Sequence, residues 1–161
     1  QPIPEIGQQQ PIPEDRSAAT NTGYQSAATN TGDRSAATNT GYQSAATNTG
    51  DQSAATNTGD RSAATNTGDQ SAATNTGDQS AATNTGNRSA AIVEGKESIA
   101  LATGIKSKAK GKIGCFIVLT EWKEINNEYH IVDIKSAKVD GENIKEDTFY
   151  MLKDGKFVEV D

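Results

Sequence analysis

The sequence predicts an all-β protein: a parallel β-solenoid with two nine-residue repeats per coil, closed at its C-terminal end by a small β-hairpin cap. Three observations predict it. The heptapeptide SAATNTG recurs unaltered at Ser17, Ser26, Ser35, Ser44, Ser53, Ser62, Ser71 and Ser80, always nine residues apart. The variable dipeptide between copies alternates at first with period eighteen, as Asp15-Arg16, Tyr24-Gln25, Asp33-Arg34, Tyr42-Gln43. Leu, Val, Phe, Trp and Met all lie beyond Ser89, so a conventional apolar core can form only there. Strict repetition of a short unit is the signature of a stacked architecture in which each repeat contacts its neighbours. The competing reading, disorder of a polar low-complexity tract, does not account for the unbroken spacing or the β-branched Thr pair and single Gly of each unit.

The elements follow in order. Residues 1–14 contain all four prolines and the run QQQ, with QPIPE at Gln1 and again at Gln10. They read as an extended, polyproline-like arm, either a flexible leader or an arm lying against a neighbouring subunit. The chain opens on Gln1, as expected of a fragment or a processed form.

Residues 15–112 are the solenoid. Three drifting units, SAAIVEG at Ser89, SIALATG at Ser98 and SKAKGKI at Ser107, reveal which side faces in. In the last, Lys108, Lys110 and Lys112 hold positions 2, 4 and 6. Three lysines cannot enter a narrow interior without partners, and alternate residues of a strand share a face. Positions 1, 3 and 5 (Ser, Ala, Asn) therefore point inward and positions 2, 4 and 6 (Ala, Thr, Thr) outward. Two units per coil stack Tyr24 on Tyr42 along one edge and Asp33 over Asp15 along the other, with Gly-centred turns between strands. Burial of little more than an Ala methyl and part of a Ser per unit is thin, about 1–2 kcal/mol. Interior Ser and Asn hydrogen-bond ladders and lateral association must add to it. The expected state is a homo-oligomer, a trimer first.

Residues 113–161 form the cap. "CFIVLTEW" suits a buried strand, "EYHIVDIKSAKVDG" alternates after an Asn126-Asn127 turn, and "TFYMLKDGKFVEV" is a hairpin turning at Asp154-Gly155. Phe116, Trp122, Phe149, Tyr150 and Phe157 are expected to build its core. Outward Ile92, Ile99 and Leu101 are placed for the cap to sit on.

Little here points to chemistry. Net charge is -6, which argues against nucleic acid as a partner, and no apolar stretch is long enough for membrane insertion. Cys115 is the sole cysteine, so no intrachain disulfide can form. Cys115, His130 and Asp133 are the one set resembling nucleophile, base and orienter, but their spacing fits no nucleophile motif and Cys115 opens an apolar strand; a buried structural thiol and an ordinary strand histidine are expected. Secreted-toxin calcium repeats use paired Gly and a recurring Asp, whereas this unit has one Gly and carries Tyr24 and Tyr42 at two of the Asp positions. No enzymatic activity, metal or cofactor is expected, and the Asn87-Arg88-Ser89 sequon is read as coincidence.

Outward threonines form two columns on a flat face: Thr20, Thr38, Thr56 and Thr74 at position 4, Thr22, Thr40, Thr58 and Thr76 at position 6. Their spacing is about 6.6–7 Å along the strand and about 4.8 Å between coils. Such Thr-x-Thr rows are the candidate contact surface, and they admit ice binding as an alternative; the blander reading is that Thr favours strands and solvates a face.

Ser98-Ile99-Ala100-Leu101-Ala102 resembles the head repeats of trimeric autotransporter adhesins, whose unit is longer. The resemblance implies parallel β-rolls packed as trimers. The closing stretch KVDGENIKEDTFYMLKDGKFVEVD is similar to uncharacterised bacterial and phage-associated proteins with a repetitive shaft and a small β-rich terminus. It implies a fibre, stalk or surface adhesion module, at an extracellular surface or in a virion.

The inward–outward assignment makes a direct prediction. Ala55→Leu overpacks the interior and costs about 1–3 kcal/mol or more, whereas Ala54→Lys is tolerated unless its face is an interface. Equilibrium unfolding of the two variants checks this; equal losses would contradict the assignment.

Overall fold

The computed structural model of the chain describes Pro11–Ile12 and residues 15–161. Of the arm expected over residues 1–14, only Pro11–Ile12 is therefore described; it is a short strand, β1 (Pro11–Ile12), and the remainder lies outside the described residues.

Each repeat supplies one four-residue strand at positions 2–5: β2 (Ala18–Asn21), β3 (Ala27–Asn30), β4 (Ala36–Asn39), β5 (Ala45–Asn48), β6 (Ala54–Asn57), β7 (Ala63–Asn66), β8 (Ala72–Asn75) and β9 (Ala81–Asn84). The drifting units continue as β10 (Ala90–Val93), β11 (Ile99–Ala102) and β12 (Lys108–Lys110). Odd strands stack in one sheet and even strands in the other, parallel throughout the repeats. Each residue pairs with the one eighteen positions on, as in Thr38↔Thr56 and Ala46↔Ala64. Two units thus make one coil. From Ser26 on, Ser, Ala and Asn at positions 1, 3 and 5 of the SAATNTG repeats are buried, with Ser17 and Asn21 of the first repeat half-buried, and positions 2, 4 and 6 face outward.

Two details of the turn differ from the Gly-centred expectation. The left-handed backbone falls on the second residue of the dipeptide, for example Arg34 (φ 57°) and Gln43 (φ 54°), although neither is glycine. Its N–H donates to the dipeptide carbonyl one coil on, as Arg34 N does to Asp51 O at 2.8 Å, which offsets the cost of the conformation. Glycine at position 7 answers a different constraint. A Cβ on Gly41 would lie 1.8 Å from the Gly23 carbonyl oxygen, so the corners of successive coils close only without a side chain.

The interior is held by hydrogen bonds. From Ser17 to Ser89 each repeat Ser N–H donates to the Ser Oγ of the next coil, as Ser44 N to Ser62 Oγ at 2.9 Å. The asparagines do not bond to one another, as a ladder would require, but reach across to the opposite sheet. Asn57 Nδ2 donates to the carbonyls of Ser44 at 3.0 Å and Ala63 at 3.2 Å, while its Oδ1 accepts from Gly59 N at 3.0 Å. Among the described residues every buried side-chain nitrogen and oxygen has a hydrogen-bond partner.

At the C-terminal end both sheets continue instead of being covered. β13 (Phe116–Ile125) pairs in parallel with β11, runs past the coil, and returns through Asn126 (φ 54°) and Asn127 (φ 64°) as antiparallel β14 (Glu128–Lys138). Positive φ at both turn residues is the signature of a type I′ hairpin. β15 (Phe149–Lys153) joins β12 antiparallel at Tyr150↔Ala109 and turns at Asp154-Gly155 into β16 (Lys156–Val160).

Because β13 adds edge-on, the cap does not sit on the outward residues, and Ile99 stays 47% exposed. The core beneath it consists of Val93, Cys115, Ile117, Leu119, Val139, Ile144, Tyr150 and Leu152. Of the five aromatics expected there, Tyr150 is buried and Phe157 packs partly against the cluster. Phe116 pairs with outward Ile99 and so shares the outer face, and Trp122 and Phe149 are half-buried. Lys108, Lys110 and Lys112 face outward as expected, two of them over the Phe149 ring at 4.3 and 5.0 Å, and the third paired with Asp147.

Glu121 joins the two hairpins. Its buried carboxylate accepts the backbone N–H of Asp154 and of Gly155, both at 2.9 Å, with Lys123 Nζ 3.5 Å away. The Gly155 N–H, then that of Asp154, then Lys123 hold its pKa below the usual carboxylate value. A lowered folded-state pKa stabilises above the unfolded value, near 4.3, and that stabilisation disappears as pH falls through the folded value. Glu121→Gln is therefore predicted to remove part of the acid sensitivity. Melting temperatures of wild type and variant should converge as pH drops below about 4; parallel pH profiles would contradict the assignment.

Candidate functional site

The surface available for contact consists of two faces, two edges and one end. On the face made by the even strands, Thr20, Thr38, Thr56 and Thr74 are direct Cα partners from strand to strand. Thr22, Thr40, Thr58 and Thr76 are all exposed. Thr40, Thr58 and Thr76 continue the ladder beyond each strand by donating N–H to Asn21, Asn39 and Asn57 carbonyls at 3.0, 3.0 and 2.9 Å. The structure therefore brings all eight candidate threonines onto one face in two columns, the position-6 column open to solvent and Thr38, Thr56 and Thr74 half-buried between neighbours. The columns end where Thr74 pairs with Ile92. The odd-strand face carries the same rows through Thr29, Thr47, Thr65 and Thr83.

The odd-strand face changes character toward its end. Thr83 pairs with Leu101 and Leu101 with Val118, while Ile99 pairs with Phe116. Phe116 is 44% exposed, and Ile134, opposite Thr120 on β14, is 59% exposed. A strip of small hydroxyl and methyl groups thus runs into an apolar patch that crosses from the last coil onto the hairpin. Sequence inspection assigns Ile99 and Leu101 to an outward face, but the alignment of Phe116 and Val118 beside them depends on a pairing that spacing does not reveal.

The edges are columns of dipeptides. Tyr24 and Tyr42 stack with ring centroids 5.4 Å apart, inclined by 16°, and the Arg61 guanidinium lies 5.9 Å from the Tyr42 ring. On the other edge the Asp side chains are part of the backbone ladder. Asp33 Oδ1 accepts from Asp51 N at 3.0 Å, Asp51 from Asp69 N at 2.8 Å, and Asp69 from Asn87 N at 2.7 Å. Asn87 then accepts from Ile105 N at 2.8 Å. The column is thus structural, and its sequence signal is that Asn can replace Asp there, since both present an Oδ1.

At the end of the shaft the two hairpins enclose an apolar groove of about 520 Å³, lined by Ile105, Trp122, Tyr129, Met151, Val158 and Val160 among others. The Trp122 indole N–H donates to the Thr103 carbonyl at 2.8 Å, fixing the ring. Asp140 closes the 140–144 turn by accepting from Asn143 Nδ2 and from the N–H groups of Ile144, Glu142 and Asn143, which hold its carboxyl well below the ordinary range.

Cys115, His130 and Asp133 are not brought together. Cys115 is buried, its thiol donating to the Gly95 carbonyl at 2.9 Å. His130 is exposed and pairs with Lys123, seven residues along β13 from Phe116, the residue after Cys115, or roughly 23 Å at the strand rise. Asp133 faces Lys135 at 3.7 Å.

Comparison with known proteins finds no matching family model, no similar curated protein and no similar solved structure.

Proposed function

We propose that the chain is a non-enzymatic structural module, a rigid β-solenoid shaft that associates side by side with copies of itself as a fibre, stalk or surface adhesion element. The observation that carries this reading is the odd-strand face. It is made of Ala and Thr for most of its length, then apolar at Ile99, Leu101, Phe116 and Val118. Contiguous exposed apolar surface of this kind marks contact sites, and small side chains let a partner approach closely. The interior polar groups are satisfied within one chain, which leaves the faces free for contact. A trimer is the assembly the adhesin-head resemblance suggests, and the resemblance to phage-associated shafts suggests a surface or virion setting. The net charge of -6 disfavours nucleic acid as the partner.

Ice binding is the second reading, supported by the in-register columns Thr20–Thr74 and Thr22–Thr76. It requires an unobstructed face on a free shaft, whereas lateral assembly covers one.

Sedimentation of the full chain, paired with an Ile99→Lys/Phe116→Lys variant, separates the readings. Lateral assembly predicts an oligomer whose association weakens at least about 10-fold in the variant. A monomer at every concentration would overturn it, and thermal hysteresis abolished by Thr56→Tyr or Thr58→Tyr would establish the ice reading instead.

A further inference from the structure

The edge that carries Tyr24 and Tyr42 ties its coils together in two ways. In later coils an aspartate does it: Asp60 Oδ1 accepts from Asp78 N at 2.9 Å, and Asp78 Oδ1 accepts from Lys96 N at 2.6 Å. In the two coils before, tyrosine holds the same place at the same eighteen-residue spacing. Its hydroxyl sits at the far end of a ring and cannot take over that bond. The rings stack instead, with centroids 5.4 Å apart and planes inclined by 16°, and among the described residues they are the one stacked aromatic pair.

Both rings are held in place. Gln25 N donates to Tyr42 O at 2.9 Å, which keeps the backbones in register, and the Tyr24 hydroxyl donates to Gln43 Oε1 at 3.0 Å. Arg61, one coil further on, brings its guanidinium to 5.9 Å from the Tyr42 ring. Tyr42 therefore lies between Tyr24 and Arg61 and is half-buried, whereas Tyr24 is 46% exposed. A small oxidant reaches the pair through Tyr24, and the one ring Tyr42 can meet is that of Tyr24.

We propose that Tyr24 and Tyr42 are an oxidative cross-linking site, joined within one chain as dityrosine by a one-electron oxidant that draws on hydrogen peroxide. Each phenol gives up one electron and one proton, and the two phenoxyl radicals form a carbon–carbon bond between ring carbons ortho to the oxygens. The hydrogens on those carbons then move to the oxygens, restoring both phenols. The pair loses two hydrogen atoms in all, and one hydrogen peroxide is reduced to two waters. Closure needs rotation of the rings about χ2, a broad torsion in tyrosine, while the backbones keep the ladder spacing of about 4.8 Å. The new bond closes a loop of eighteen residues, which restricts the unfolded chain, and it ties two coils that lack the aspartate bond. The site needs only the register within one chain and is independent of whether shafts associate.

The other two tyrosines are internal controls. Tyr129 is 48% exposed and has no stacked ring among the described residues, so it couples only between chains. Tyr150 is buried, its hydroxyl accepting from Lys145 N. The full chain at micromolar concentration is treated with hydrogen peroxide and a peroxidase, alongside Tyr42→Phe, which keeps the stack but cannot form the radical. The expected dityrosine fluorescence per chain is unchanged on about 10-fold dilution of wild type and at least about 10-fold weaker in Tyr42→Phe, as follows for partners at millimolar effective concentration. Cleavage after arginine then releases segments 17–34 and 35–61 as one linked species, two hydrogens lighter than their sum. Dityrosine confined to covalently joined chains, or equal in wild type and variant, would overturn the proposal. So would oxidised chains in which Tyr24 and Tyr42 remain unlinked.

Discussion

The shaft is held at its width by one repeated side chain, the asparagine at the fifth position of each unit. With an interior of Ala methyls and Ser hydroxyls there is no large apolar side chain to fix the distance between the sheets. Asn supplies that distance. From β6 of one sheet, Asn57 bridges the carbonyls of Ser44, just before β5, and of Ala63, the first residue of β7, both on the side of the other sheet, and closes its own corner by accepting from Gly59 N. In a buried interior such bonds are strong and their loss is expensive. The other features of the coil are consistent with that spacing. The corner is tight enough that only glycine fits at position 7, and Ser must be small enough to pass its hydroxyl to the coil beside it.

Where asparagine stops, the interior changes kind. Position 5 becomes Val93, Ala102 and then Gly111 in the three drifting units. Val93, Cys115, Ile117 and Val139 fill the space with apolar packing, and Gly111 leaves room for it: a Cβ there would lie 3.1 Å from both Cys115 Cβ and Val93 Cγ2. The drifting units are thus a transition from a hydrogen-bonded interior to a conventional core. This explains why the C-terminal strands can lengthen and end as hairpins without a separate lid.

Much of the fold was legible because a strict repeat makes periodicity a geometric statement. The eighteen-residue alternation of Tyr24/Tyr42 with Asp15/Asp33 fixed the number of units per coil, and the lysines of the last unit fixed the face. What was not legible depends on pairings between distant residues. Phe116 reads as core by hydrophobicity, yet its pairing with Ile99 puts it on the outer face. Asn reads as a self-stacking ladder, yet the carbonyls it meets belong to the opposite sheet. The Thr columns were visible as a surface from spacing alone. The apolar patch beside them, and the groove around Trp122, arise from hairpins whose placement no local signal announces.

The central claim is that Asn at position 5 holds the two sheets together, and equilibrium denaturant unfolding of Asn57→Ala tests it most directly, with Thr58→Ala as the adjacent outward control. Removing the amide orphans the Gly59 N–H, at about 1–3 kcal/mol, and takes one hydrogen bond each from the Ser44 carbonyl, which keeps the Ala63 N–H, and from the Ala63 carbonyl of the β5–β7 ladder, at about 0.5–1.5 kcal/mol each. The account predicts a loss of about 2 kcal/mol or more for Asn57→Ala and less than about 0.5 kcal/mol for Thr58→Ala. Equal, small losses at the two positions would contradict it.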